Sequence, residues 1–159
     1  MALRNIRVED DPILRKTSRK VEKFDQRLEM LIDDMFDTMY DAGGVGLAAV
    51  QVGVLKQVIV IDTGEEGERL VLINPEIIAE EGEQLTPEGC LSIPGKVGTV
   101  KRPQKVTIRA LDREGNVYEK TGEDLLAKAF CHEIDHLSGV LYIDKTISAP
   151  VEVTEEDEE

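Results

Sequence analysis

The chain has only two histidines, His132 and His136, four residues apart with Glu133 between them. On an α-helix a four-residue step turns the side chain by only about 40°, so both imidazoles leave on one side and can share a cation. Glu133 lies about 80° from the middle of that pair, within reach of a water on the cation but too far round to be an easy third ligand. The neighbours Leu125, Leu126, Phe130, Ile134 and Leu137 are apolar, which argues for a largely buried helix rather than two histidines on a surface face. A catalytic centre takes three protein ligands and keeps one position open. With no third histidine, the remaining ligand has to come from elsewhere. Cys131 diverges by about 120° from the middle of the pair and is expected to point into the core. Cys90 is unconstrained by that helix, so the expected centre is two imidazoles and the Cys90 thiolate. Any fold of this chain must then carry residue 90 to one face of a helix far downstream.

The rest of the pattern supplies elements for such a fold. Asp11-Pro12 reads as an N-cap followed by proline at the first helical position. Leu28, Leu31, Ile32, Met35, Phe36 and Met39 form one apolar stripe at helical period, in a helix expected to end before Gly43-Gly44. Val58–Ile61 and Leu70–Ile73 are short apolar runs either side of a turn-rich segment. Val106, Ile108 and Ala110 alternate with polar residues, and the segment from Asp112 to Asn116 turns the chain into Val117-Tyr118-Glu119 as a hairpin. The last helix is expected to begin near Thr121, with Asp124 completing a capping box, and to end at Ser138-Gly139. The class is α+β: mostly antiparallel strands packed around the C-terminal helix that carries the histidines, with helices at the N-terminal side.

At 159 residues the chain fits one domain, placed at 1–150, and its apolar content suffices for a core. The net charge is −14, with no Trp and 4% aromatic residues. That balance argues against binding to nucleic acid or to anionic membranes. The last eight residues hold six acids and no base, so 151–159 is expected to be a disordered acidic tail. No run of residues is long and apolar enough to span a membrane and no leader opens the chain, so a cytoplasmic protein with unpaired cysteines is expected.

A third element is Gly44-Val45-Gly46-Leu47-Ala48-Ala49-Val50-Gln51. Taken alone it is a tight loop with a glutamine, and no strand–turn–helix unit frames it as a dinucleotide loop. Closely spaced glycines let a backbone approach a ligand, and Gln51 offers an amide donor.

Together with Glu88-Gly89-Cys90-Leu91-Ser92 and His132-Glu133-Ile134-Asp135-His136, this segment resembles, in order, the three motifs of the peptide deformylases. The similarity runs from about residue 3 to residue 147 and includes Ile93-Pro94-Gly95, Arg102-Pro103 and Leu137-Ser138-Gly139-Val140-Leu141. One departure is Cys131, where many members carry Gln. The resemblance implies that Cys90, His132 and His136 hold one divalent metal ion, Fe²⁺ natively, with Zn²⁺, Ni²⁺ or Co²⁺ able to substitute. It implies a hydrolase that removes the N-formyl group from the initiator methionine of new polypeptides and releases formate. Glu133 would move the proton, while the Gln51 amide and the Leu91 backbone N–H would hold the oxyanion. Val45, Leu125 and Ala129 are expected to line the methionine pocket, and Gly46, Gly89 and Arg102 to meet the peptide backbone. The implied partners are N-formyl-Met nascent peptides, with transient proximity to the ribosome. Docking there through the acidic tail is not expected, because ribosomal RNA would repel it. Two other readings stand beside this one. A zinc endopeptidase would use the same helix but take a downstream Glu or His as third ligand, and a structural metal module would close its site with a fourth protein ligand.

Overall fold

The computed structural model describes residues 2–65 and 69–147, and the backbone of residues 151–152. The first regular element is a 3-10 turn, Pro12–Arg15, capped by the Asp11 side chain, which accepts from the Ile13 N–H at 3.0 Å. Helix α1 covers Gln26–Asp41, and among the described residues eight strands and a second long helix follow: β1 Gly46–Ala48, β2 Val58–Asp62, β3 Arg69–Glu81, β4 Gln84–Cys90, β5 Ile93–Arg102, β6 Lys105–Leu111, β7 Val117–Glu123, α2 Leu125–His136 and β8 Val151–Glu152. All strand pairings are antiparallel. Five strands form one sheet in the order β1-β2-β3-β6-β7, and β4-β5-β8 form a second. The α+β architecture read from the sequence is the one observed.

The apolar run Val58-Ile59-Val60-Ile61 explains how the layers stack. Successive residues of a strand point to opposite faces. Val58 and Val60 join the cluster built on α1, with Leu31, Met35 and Met39, while Ile59 and Ile61 join the one built on α2, with Leu126, Phe130 and Cys131. The large sheet is therefore covered by a helix on each face, and β2 has no solvent side on which to carry polar residues. Burying each such side chain stabilises the fold by about 1.5–3 kcal/mol. A third, smaller cluster of Leu14, Ile93, Val100, Leu141 and Tyr142 ties the first 3-10 turn and β5 to the segment after α2. Gly139, at φ +75°, makes that tie close, because a Cβ there would run into the Arg15 carbonyl.

Two sequence expectations shift. The last helix begins at Leu125 and not near Thr121. Residues 117–123 pair along the whole of β6, from Leu111↔Val117 to Lys105↔Glu123, and the Thr121 hydroxyl bonds across the pair to Thr107 at 2.8 Å. Asp124 stands before the helix at φ +52° with no side-chain cap bond, so the capping box does not form. The residues expected as an acidic tail begin with β8, in which Val151 and Glu152 pair with Val97 and Lys96. Residues 153–159 lie outside the described residues.

Candidate active site

Strand β4, helix α2 and the 3-10 turn Ala49–Val52 after β1 meet at the site. Burial alternates at the end of β4, so Thr86, Glu88 and Cys90 face inward. Helix α2 presents His132 and His136 one turn apart, with ring centroids 5.0 Å from each other. The Cys90 Sγ lies 3.4 Å from His136 Nε2, and the Cys90, His132 and His136 ligand atoms all lie within 4.8 Å of one another. One sulfur at about 2.3 Å and nitrogens at about 2.0–2.1 Å from a tetrahedral ion stand about 3.5 Å apart. The spacing therefore fits a single metal ion, and no fourth protein group joins the set among the described residues. Cys131 is buried in the core cluster on the α2 side, away from these ligands.

The ligands are held from behind. His132 Nδ1 bonds the Glu88 carboxylate at 2.8 Å, leaving Nε2 for an ion. Glu88 also receives two bonds from Arg102, at 2.7 and 2.9 Å, and Arg102 reaches Asp135 at 2.8 Å. Burial works to raise the Glu88 pKa, yet Arg102 and His132 bring it down to about 2. Burial likewise works to lower the His132 pKa, but the charges of Glu133 and Cys90 and the bond to Glu88 raise it well above its ordinary value. His136, buried and next to His132, is pushed down to about 3. Anionic neighbours that favour a proton on His132 favour a metal cation by the same physics.

Glu133 is 5% exposed, and burial raises its pKa to about 7. Its Oε1 has no hydrogen-bond partner, while Oε2 stands 3.9 Å from His132 Nε2. Gly46 lies directly against this carboxylate, since a Cβ there would come within 2.6 Å of Oε2. The close approach foreseen for the glycine-spaced segment is thus made to Glu133. Gln51 is almost fully buried, and its Oε1 accepts from the Ala48 N–H at 2.9 Å. This bond turns Nε2 toward Ser92 Oγ at 3.1 Å and Cys90 Sγ at 3.5 Å.

A cavity of about 460 Å³ opens on these groups. The structure brings Val45, Gly46, Gln51, Gly89, Cys90 and Leu91 to its wall from the N-terminal two thirds of the chain, and Leu125, Ala129, His132 and Glu133 from α2. His136 lies behind them, fully buried. Arg102 is not on the wall. At 3% exposure its guanidinium is engaged by Glu88 and Asp135, so it supports a ligand where the family resemblance implied contact with a peptide. The sequence reading missed Glu88 and Asp135 as partners of that arginine, and Ser92 beside Gln51. The strand alternation that puts residues 88 and 90 on one face was the available signal.

The polypeptide deformylase family model matches residues 3–151. A peptide deformylase of Lachnoclostridium phytofermentans is 59% identical over 160 residues, covering 100% of this chain and 98% of its own length. One from Caldanaerobacter subterraneus is 60% identical over 147 residues, covering 92% of this chain and 91% of its own. Among solved structures, a peptide deformylase from Legionella pneumophila superimposes with a TM-score of 0.88 at 53% identity, covering 91% of this chain and 86% of the other. Relatives this similar over almost their full length share one family description, and the chain belongs to the polypeptide deformylase family.

Proposed function

We propose that this chain removes the N-formyl group from the initiator methionine of newly made polypeptides, with Cys90, His132 and His136 holding one divalent metal and Glu133 moving the proton. The observation that carries this reading is the three-ligand group beside a buried carboxylate whose Oε1 lacks a partner, both on one cavity. A structural module would have no use for that carboxylate, and an upstream cysteine is not the third ligand of a zinc endopeptidase. Fe²⁺ is the resident metal that the family resemblance implies, with Zn²⁺, Ni²⁺ or Co²⁺ able to substitute, since thiolate and imidazole donors suit all of them.

When bound, the ion supplies Lewis acidity to the water and to the formyl carbonyl. Glu133 takes a proton from the water and returns one to the leaving amine, which is otherwise a poor leaving group. The Gln51 amide, already turned toward Cys90 by its bond to Ala48, donates to the developing oxyanion together with the Leu91 backbone N–H. Val45, Leu125 and Ala129 receive the methionine side chain. Gly46 and Gly89, on the cavity wall, meet the peptide backbone. Arg102 acts through Glu88 to fix the His132 ring.

The test is formate release from formyl-Met-Ala-Ser by anaerobically purified protein, with elemental analysis of the same sample. Turnover should track metal content, vanish on chelation and return on reloading. Cleavage of unformylated peptides without formate release would favour the endopeptidase.

A further inference from the structure

The Gln51 amide is held at both ends. Its Oε1 accepts from the Ala48 N–H, so the other end is the NH2 group, with two donors. Nε2 donates to Ser92 Oγ at 3.1 Å and faces Cys90 Sγ, on the metal side, at 3.5 Å. With one N–H taken by Ser92, the second is the one left for a group at the site. Gln51 and Ser92 are 1% and 0% exposed. Bulk water does not reach the hydroxyl, and without that hydroxyl a buried N–H would lose its partner. The last torsion of a glutamine side chain has broad wells. An amide anchored only at Oε1 would turn about that torsion and carry the second N–H away from the site.

Ser92 directly follows Leu91, whose backbone N–H is the other donor assigned to the oxyanion. Gln51 belongs to the turn Ala49–Val52, and its bond to Ser92 spans 41 positions of the sequence. One hydrogen bond thus ties the segments of the two donors together. Ser92 is not on the cavity wall, so it reaches the reaction only through Gln51. Oxyanion donors are effective because they are set in place before charge develops, and small displacements of such groups are costly.

We propose that Ser92 is a positioning residue that fixes the Gln51 amide, with one N–H on its hydroxyl and the other directed at the formyl oxygen. The inference rests on the deformylase reading. The experiment measures KM and the single-turnover rate at saturating formyl-Met-Ala-Ser in wild type, Ser92→Ala, Gln51→Ala and the double variant, with the metal content of each. Ser92→Ala should slow the chemical step about tenfold, less than loss of the donor itself, with KM within about twofold of wild type. In the Gln51→Ala background the same change should matter by less than about twofold, because the group it positions is gone. A merely structural serine would cost the same in both backgrounds. Equal losses therefore overturn the inference, and so does a Ser92→Ala rate within about twofold of wild type. Loss of metal from Ser92→Ala would make the hydroxyl a support for Cys90 and would also overturn it. Absence of turnover by the wild type on any formyl peptide would instead sink the deformylase reading.

Discussion

Helices α1 and α2 cover opposite faces of the same sheet, yet they are built on different principles. Helix α1 is specified locally. Asp25 caps it by accepting from the Leu28 N–H at 3.1 Å, and its apolar stripe meets the sheet. Its buried polar residues Asp34 and Thr38 hold the N-terminal segment through Ala2 and Arg4. Helix α2 starts without a side-chain cap bond at a positive-φ aspartate, and its first turn is held by distant residues. The Asp124 N–H donates to the Gln104 carbonyl at 3.1 Å, and Gln84 donates to the Asp124 carbonyl at 3.0 Å. It also buries His136 and Glu133, whose Oε1 has no hydrogen-bond partner, whereas both oxygens of the buried Asp34 on α1 are engaged. Local rules give way where the chemistry sits, and tertiary contacts make up the difference.

The sharpest way to separate the two helices is to remove the buried carboxylate of α2. If Glu133 moves protons and does not coordinate, as proposed, Glu133→Ala should lower kcat by about 10²–10⁴ while metal content stays that of wild type. Formate release with elemental analysis checks both at once, and loss of metal would make Glu133 a ligand. Gln51→Ala comes next, at about 10²–10³ in kcat, the usual worth of one oxyanion donor. Single-turnover rates at saturating peptide measure it, and activity within a few-fold of wild type would remove Gln51 from the oxyanion site.

Glu88→Gln tests the support behind α2. Its amide can still meet His132, but it leaves the Arg102 guanidinium buried with Asp135 as its sole carboxylate partner. Replacing the carboxylate behind a ligating imidazole by a neutral amide should weaken metal affinity by about 10–100-fold, the usual effect of altering such a partner. Competition with a fluorescent chelator should show that drop, whereas retained affinity would mean that the carboxylate does not set the His132 ring.

The same contrast explains what could be read in advance. The end of α1 before Gly43-Gly44 and its stripe, the Asp11-Pro12 cap and the β2 run are written in adjacent residues, and they appear where the sequence places them. The donor set on α2 was legible for the same reason, since spacing alone puts His132 and His136 on one side. Strands β4 and β5 were not, because Gln84–Cys90 and Ile93–Arg102 contain Pro, Gly and charged residues and owe their form to pairing with each other. The start of α2 was misplaced because Thr121 obeys a cross-strand partner rather than its own helix propensity. The engagement of Arg102 by Glu88 and Asp135 is not legible either, because a sequence position carries no information about which carboxylates will close around it.

The smallest effect should come from the local helix. In Asp25→Ala the Leu28 N–H loses its side-chain acceptor at the first turn of α1, a change that costs about 1 kcal/mol for a typical N-cap. For a domain of this size that lowers Tm by about 2–4 °C. Asp25 lies on the far side of the sheet from the metal ligands, so kcat/KM and metal content should match wild type below the transition. Thermal unfolding followed by circular dichroism, with formate release at 25 °C, measures both. A fall in kcat/KM at unchanged metal content would mean that α1 is coupled through β1 to the Gly46–Glu133 contact, and the division between a structural and a catalytic helix would fail.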